Sequence, residues 1–425
     1  MNFSHNFLRT LFSFYNRFSL SSKFFDGKVE VDQLSNTVEI FRDEWSVPHV
    51  FSKTNKDLLF SQGWLHAQDR LWQMEINRRM GLGQLSESFG KEALDTDRLI
   101  RVLGFNRLGL EDYKIMSPGV KSLCESYVSG INEYIIKGSL PVEFKLTGIK
   151  PRPWTVVDVL CWTKAMSWML SHGWSSAMIK KKVVDAVGEE MSNELSIQYP
   201  KENPVEIDDI ELDLFESASG PYLFKDMDGG GRGSNAWAVS SDLTTEGCPI
   251  LCNDTHLKLT APGIWYTNHL RSDEGYSFYG SSIPGIPGCF SGHNESIALG
   301  LTLAYTDVED LFVETIDMKN PKRYLYNGDY RQMGICKEVI KVKGEEDHIE
   351  KVLSTLHGPI ISRTLAKSAK YIALSSKSLQ PSKSLDGLWK INCAQNWTEF
   401  SQGVSDISAT QLNFIYSDID NNIGF

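Results

Sequence analysis

The pentapeptide Gly233-Ser234-Asn235-Ala236-Trp237 stands where a glycine-rich stretch, DMDGGGRG, gives way to the strand-like run AWAVSS. A serine hydroxyl is a weak nucleophile and attacks a carbonyl only with help from a base. If the chain is cut between Gly233 and Ser234, the new α-amino group can be that base. Its ordinary pKa, roughly 7.7 to 8.0, sits near neutral pH, where a general base works best. Nucleophile and base then belong to one residue, and no catalytic His or Asp is required. Gly233 suits such a junction, because a residue without Cβ accepts the strained backbone that self-cleavage demands. Read alone, the motif is better explained as an ordinary turn, since Gly, Ser and Asn dominate turns for conformational reasons.

The surrounding sequence changes that balance. AWAVSS is followed by a turn at TTEG, a second strand PILCND, and then Asp254-Thr255-His256-Leu257. A hairpin of this length returns the chain to its start. His256 then lies near Ser234, and either its backbone N–H or its imidazole is the useful group. The alternative is a structural histidine at a strand end.

Three regions must position these residues. Residues 28–205 read mainly as helix, with apolar residues at three- and four-residue steps in LLFSQGWLHAQDRLWQMEINRRMG, GVKSLCESYVSGINEYIIKG and VVDVLCWTKAMSWMLSHG. The exception is VEIFRDEWSVPHVFS, which reads as strand, turn and strand. Residues 206–233 form an acidic, then glycine-rich spacer, the texture at which chains tolerate cutting. From 234 to 425 the sequence turns to short runs rich in β-branched and aromatic residues: AWAVSS, PILCND, YSFYGSSI, SIALGLTLAY, DLFVETI, RYLYNGDY, EVIKVKG and YIALSS. A helical half before a strand-rich half predicts stacked sheets covered by helices. Residues 1–27 carry Arg9, Arg17 and Lys23 and no acid before Asp26. A weak export signal and an amphipathic first helix both fit them.

In HAQDR, His66, Asp69, Arg70 and Gln73 share one helical face. A metal site or an acid–base pair would use such a face, but a buried polar network explains it better. Arg42, Asp43 and His49 are read the same way.

A formal net charge of -11 over 425 residues, 23% of them charged, argues against a nucleic-acid binder, which needs a basic face. No stretch approaches the roughly 18 apolar residues of a membrane span. The seven cysteines are irregularly spaced and form no CxxC pair, which speaks against structural zinc. A disulfide between some pair stays open.

Taken in order, RDEWSVPHV, QGWLHAQDRLWQME with RRMGLGQLSE, DTDRLIRVLG, KPRPWTVVD, GRGSNAWAVS, PILCNDTHL, PGIPGCFSGHNESIALGLTLAYTDVEDLF, LHGPI and QNWTEF with NFIYSDIDNNIGF resemble the penicillin amidase (penicillin acylase) family of N-terminal-nucleophile hydrolases. The resemblance runs from about residue 28 to the last residue. It implies an α+β fold, the four-layer αββα sandwich, with a large helical first chain. It implies cleavage between Gly233 and Ser234, with Ser234 as nucleophile. His256 matches a residue whose main chain holds the nucleophile's surroundings, and Leu303 one whose N–H donates to the oxyanion. A backbone donor tolerates any side chain.

The same segment supplies calcium ligands in some members, which map to Asp307, Glu309 through its carbonyl, and Asp310. The matching ligand from the first chain falls near Ala177, where a carboxylate belongs, so surface acids in salt bridges are an equal reading. Gly292, His293 and Asn294 read as a structural turn beside the oxyanion segment. The implied function is hydrolysis of a linear amide in a small N-acyl molecule of penicillin, cephalosporin or acyl-homoserine-lactone type. The two cleaved chains stay together as a heterodimer, no organic cofactor is needed, and the resemblance suggests the periplasm.

Family members continue past the segment that ends here at Phe425, with an Asn that completes the oxyanion hole and an Arg near the nucleophile. A truncated record, one piece of a split protein and a catalytically inactive remnant that needs a second chain are all consistent with this. A Ser-His-Asp triad is disfavoured, because no GxSxG elbow surrounds Ser234.

Overall fold

The computed structural model describes residues 27–171, 173–195, 197–198, 213–214, 233–304, 306, 308–365, 370–408 and 410–425. The expected spacer, 206–233, lies outside the described residues apart from 213, 214 and 233. The chain divides into a short N-terminal unit, residues 1–35, and one body, residues 36–425. In the first, described residues 27–35 form turns and bends.

In the body, VEIFRDEWSVPHVFS folds as expected into strands β1 (Glu39–Arg42) and β2 (Pro48–Ser52) around a tight turn. Helix α1 (Asn55–Leu82) follows. Thr54 starts it by accepting the Asp57 N–H, and Gly83 stops it in the left-handed conformation. Helix α2 (Pro118–Lys137) crosses α1 at Gly63 and Gly130. A Cβ on Gly63 would meet the Tyr127 carbonyl oxygen at 2.0 Å, and one on Gly130 the Phe60 oxygen at 1.9 Å. Only glycine permits so close a crossing. Helix α3 (Val156–Met169) opens with a reciprocal cap between Thr155 and Asp158. Helix α4 (Gly173–Val187) follows it.

The second half contributes strands β3 (Gly233–Val239), β4 (Ile250–His256), β5 (Tyr266–Ser272), β6 (Ser277–Ser282), β7 (Ser291–His293), β8 (Ile297–Leu303) and β9 (Glu309–Glu314). Beyond these come β10 (Gly334–Ile340), β11 (His348–Ser354), β12 (Tyr371–Ser376), β13 (Leu412–Asp418) and β14 (Ile423–Gly424). RYLYNGDY is a two-stranded hairpin turning at Asn327-Gly328.

Eight strands form one sheet in the order β1-β2-β5-β6-β7-β8-β13-β14. Its β2–β5 pairing is parallel and joins the two halves of the sequence. One face carries Val50, Leu270 and Phe278 onto α1 through Leu58 and Leu65. Further along, Ile297, Leu299 and Tyr416 pack on helices α5 (Ser384–Cys393) and α6 (Trp397–Ser405).

These two helices stand within the strand-rich region 234–425. Leu385, Leu388 and Ile391 are buried at three-residue steps, a helical stripe that the strand-rich surroundings obscure. The opposite face of the sheet carries the β3–β4 hairpin over β8 and β13. Helices, a large sheet and a second, two-stranded layer are therefore stacked in a mixed α and β body.

Candidate active site

The hairpin closes as its sequence predicts. Gly233 stands opposite His256, Ser234 opposite Thr255 and Asn235 opposite Asp254. Residues directly opposite share a face, and neighbours along a strand alternate. Ser234 and Thr255 therefore project from one face, and Gly233, Asn235 and His256 from the other. The His256 ring confirms this, with Nε2 at 2.8 Å from Asp254 Oδ2 and 3.3 Å from Asn235 Nδ2. Of the two groups His256 could lend to Ser234, the geometry leaves the backbone. The Ser234 hydroxyl donates to the Gly233 carbonyl oxygen at 2.7 Å, the carbonyl of the expected scissile bond.

The Ser234 face looks onto β8. A Cβ on Gly300 would lie 3.1 Å from both Asn253 Cβ and Leu251 Cδ2, so the hairpin rests on the bare glycine. Asn253 then fastens the two layers. Its Nδ2 donates to the Leu301 carbonyl at 2.9 Å, and its Oδ1 accepts the Leu301 N–H at 3.2 Å. Sequence reasoning missed this residue. The signal was an asparagine, poorly suited to strands, inside PILCND. Two residues beyond Leu301 is Leu303, opposite Leu412 in the β8–β13 ladder. Asn413 Nδ2 steadies this end by donating to Thr302 Oγ1 at 3.0 Å.

A second strut reaches the hairpin from α1. Arg70 has non-helical backbone angles in mid-helix, φ -139 and ψ 16, which kinks α1. Its guanidinium donates to the Gly263 carbonyl at 2.7 Å, joined there by Gln73 Nε2 at 3.1 Å. The loop so held presents Trp265, whose Nε1–H donates to Thr255 Oγ1 at 3.0 Å. Asp69 accepts from Arg42 at 2.8 Å and from the Tyr266 hydroxyl at 2.6 Å. Burial first, then the Asp69 charge, push the Tyr266 phenol well above its ordinary pKa.

His66 is fully buried between Tyr127 Oη (2.7 Å) and Ser282 Oγ (2.9 Å). Burial, with Arg70 adding repulsion, lowers its pKa to about 3. HAQDR is thus the polar network that ties the helical half to the strands.

Of the expected calcium ligands, Glu309 and Asp310 are among the described residues. Glu309 is buried and accepts the Trp174 N–H at 3.2 Å, at the start of α4. Asp310 projects from the opposite, exposed face of β9, and Asp307 lies outside the described residues. Among the described residues, no three His, Cys, Asp or Glu side chains group as a metal site. Trp168 and Trp174 stack with ring centroids 6.1 Å apart, in an apolar region between α3 and α4. Among the described residues, no helix is long and apolar enough to cross a membrane.

Comparison with known proteins finds similarity along most of the chain. The chain is 28% identical over 418 residues to penicillin acylase 2 proenzyme of Pseudomonas sp. (strain SE83), covering 94% of this chain and 53% of that protein. It is 27% identical over 430 residues to acyl-homoserine lactone acylase QuiP of Pseudomonas aeruginosa, covering 94% and 50%. The chain thus spans about half the length of the curated relatives it matches. A solved thermostable penicillin G acylase from Alcaligenes faecalis is 26% identical, over 45% of this chain and 34% of that one, with a TM-score of 0.40. The family model for penicillin amidase matches residues 37–425, and the chain belongs to that family.

Proposed function

We propose that this chain carries the nucleophile half of an N-terminal-nucleophile amidohydrolase, matured by cleavage between Gly233 and Ser234. The carrying observation is the Ser234 hydroxyl at 2.7 Å from the Gly233 carbonyl oxygen, in the first residues of a hairpin pinned to β8. In maturation, Ser234 Oγ attacks the Gly233 carbonyl carbon and the Gly233–Ser234 C–N bond breaks. The freed amine takes the proton, and water cleaves the resulting ester. In turnover, Ser234 attacks a linear amide, and its α-amine takes the hydroxyl proton and passes it to the leaving amine. Water then releases the acyl group. The Leu303 N–H serves the oxyanion.

Names of relatives support penicillin-type and acyl-homoserine-lactone-type substrates. The proenzyme among them supports two processed chains held together, with residues 28–205 in the first and 234 onward in the second. A four-layer αββα sandwich extends the helix, sheet and hairpin layering described above. Calcium at Asp307, the Glu309 carbonyl and Asp310 belongs to the same reading, and calcium titration of the folded protein tests it.

The test is N-terminal sequencing of the cleaved product beside an amide-hydrolysis assay. Ser234→Ala should abolish cleavage and turnover together. A product starting elsewhere, or an active Ser234→Ala protein, defeats the assignment.

A second reading, in which turnover requires a further polypeptide, is favoured by the half-exposed hairpin, where Trp237 is 51% and Ile250 43% accessible. Size-exclusion chromatography and turnover of the 425-residue chain, alone and with the second half of a relative supplied, separate the two.

A further inference from the structure

One row of side chains crosses five strands on the face of the large sheet away from the helices. Phe41 pairs with His49, His49 with His269, His269 with Tyr279, and Tyr279 with His293. Within it, His49 Nδ1 and His269 Nδ1 approach to 3.1 Å. Two nitrogens bound at about 2.0–2.1 Å to one tetrahedral ion would sit roughly 3.3 Å apart. The pair already stands at nearly that spacing.

The surroundings prepare His49 as a ligand. Asp43 Oδ1 accepts the Trp45 and Val47 N–H groups, both at 2.9 Å, which fixes the carboxylate. Its Oδ2 then faces His49 Nε2 at 3.4 Å. A proton held on Nε2 by that carboxylate leaves the Nδ1 lone pair directed at His269. This is the outer-shell arrangement that orients metal-binding imidazoles. Phe41 stacks on the His49 ring at 5.0 Å and Phe51 lies edge-on to His269 at 5.6 Å, so both rings are held in place. The His49 side chain keeps 20% exposure, enough for an ion to enter. Arg271 and Glu295, 3.6 Å apart, are the neighbouring charges, and their opposite signs offset each other.

We propose that His49 and His269 form a binding site for a divalent transition cation of the kind imidazole prefers, zinc in the first instance, with water in the remaining positions. Without metal, the His269 Nδ1–H donates to His49 Nδ1. With metal, both Nδ1 atoms bind the ion and the His269 proton moves to Nε2, so no proton need be lost. The site is separate from Ser234 and does not depend on the proposed hydrolase activity.

The test is zinc titration of the purified chain by calorimetry, together with nitrogen-15 NMR of labelled histidines. One zinc per chain should shift both Nδ1 resonances, and His269 should change tautomer. His49→Ala and His269→Ala should each weaken this binding at least tenfold, and His293→Ala should leave it unchanged. Asp43→Asn, which keeps both imidazoles, should weaken it by roughly 10- to 100-fold. Circular dichroism identifies any variant that fails to fold. The proposal falls if millimolar zinc leaves the two resonances unmoved, or if a folded His49→Ala, His269→Ala double variant binds as the parent does.

Discussion

Gly233 and His256 face each other across the first register pair of the β3–β4 hairpin, and a Cβ placed on Gly233 would lie 3.1 Å from His256 Nδ1. That is tight, but the obstacle is the ring of a side chain 44% exposed, which can move aside. Gly233→Ala should therefore fold, with stability within about 1 kcal/mol of the parent. Cleavage lost in that variant would then report on chemistry at the junction and not on unfolding. Urea melts beside gel analysis of the cleaved chains check this. A collapse in stability would mean that Gly233 holds a backbone conformation closed to alanine.

Asn253 holds β8 against the nucleophile hairpin through both groups of its amide. Asn253→Ala leaves the Leu301 N–H and C=O without that partner, at a cost of about 1–3 kcal/mol. Asn253→Asp keeps the acceptor and loses the donor, and should destabilise comparably. Amide hydrogen exchange at Leu301 should speed up in Asn253→Ala, which removes the acceptor of its N–H, and stay nearer the parent rate in Asn253→Asp, which keeps it. If turnover follows the proposed route, kcat should fall more than KM rises, because Leu303 lies two residues further along β8. Unchanged exchange at Leu301 in Asn253→Ala would refute the clasp.

The hairpin was legible because a nucleophile motif, a turn and a returning strand follow one another at short range. The β1–β2 pair and the role of HAQDR were legible for similar reasons, one from alternation and the other from a shared helical face. The helices at 384–405 were not. Their apolar stripe is short, and at that length three-residue spacing is easily taken for strand texture. The faces of the hairpin could be read only after its register was known, and that register puts the His256 ring on the face away from the Ser234 side chain. Asn253 and the kink at Arg70 depend on partners 48 and 193 residues away, beyond what local pattern carries.

The indole of Trp265 and the hydroxyl of Thr255 meet in a single hydrogen bond on the Ser234 side of the hairpin. Trp265→Phe and Thr255→Val each remove it, and each should cost about 0.5–1.5 kcal/mol. The double variant should cost clearly less than their sum, since the second change has no bond left to break. Thr255→Ser restores the hydroxyl and should recover most of the stability lost in Thr255→Val. Strict additivity in the cycle would show that the two side chains are not coupled.

His66 sets a pH dependence whose sign follows from its burial. Its pKa is about 3 in the folded chain, against 6.5 for an ordinary histidine. The unfolded chain therefore binds the extra proton across that interval, and the stability from keeping His66 neutral is fully present above about pH 6.5. It declines as pH falls from there toward 3, at up to about 1.4 kcal/mol per pH unit. Between pH 6.5 and 5 the loss should approach about 2 kcal/mol from this residue alone. The neutral ring also has a defined proton. Ser282 Oγ donates to the Tyr266 carbonyl at 2.8 Å, so it accepts from His66 Nε2–H, which leaves Nδ1 to accept from Tyr127. His66→Gln keeps a donor and an acceptor but cannot titrate. It should be less stable than the parent at pH 8 and show a flatter decline between pH 6.5 and 5. Urea unfolding at half-unit steps of pH measures both curves. Parallel slopes for parent and His66→Gln would show that the ring takes up its proton in the folded state at an ordinary pH, and that its burial between Tyr127 and Ser282 does not govern the acid response.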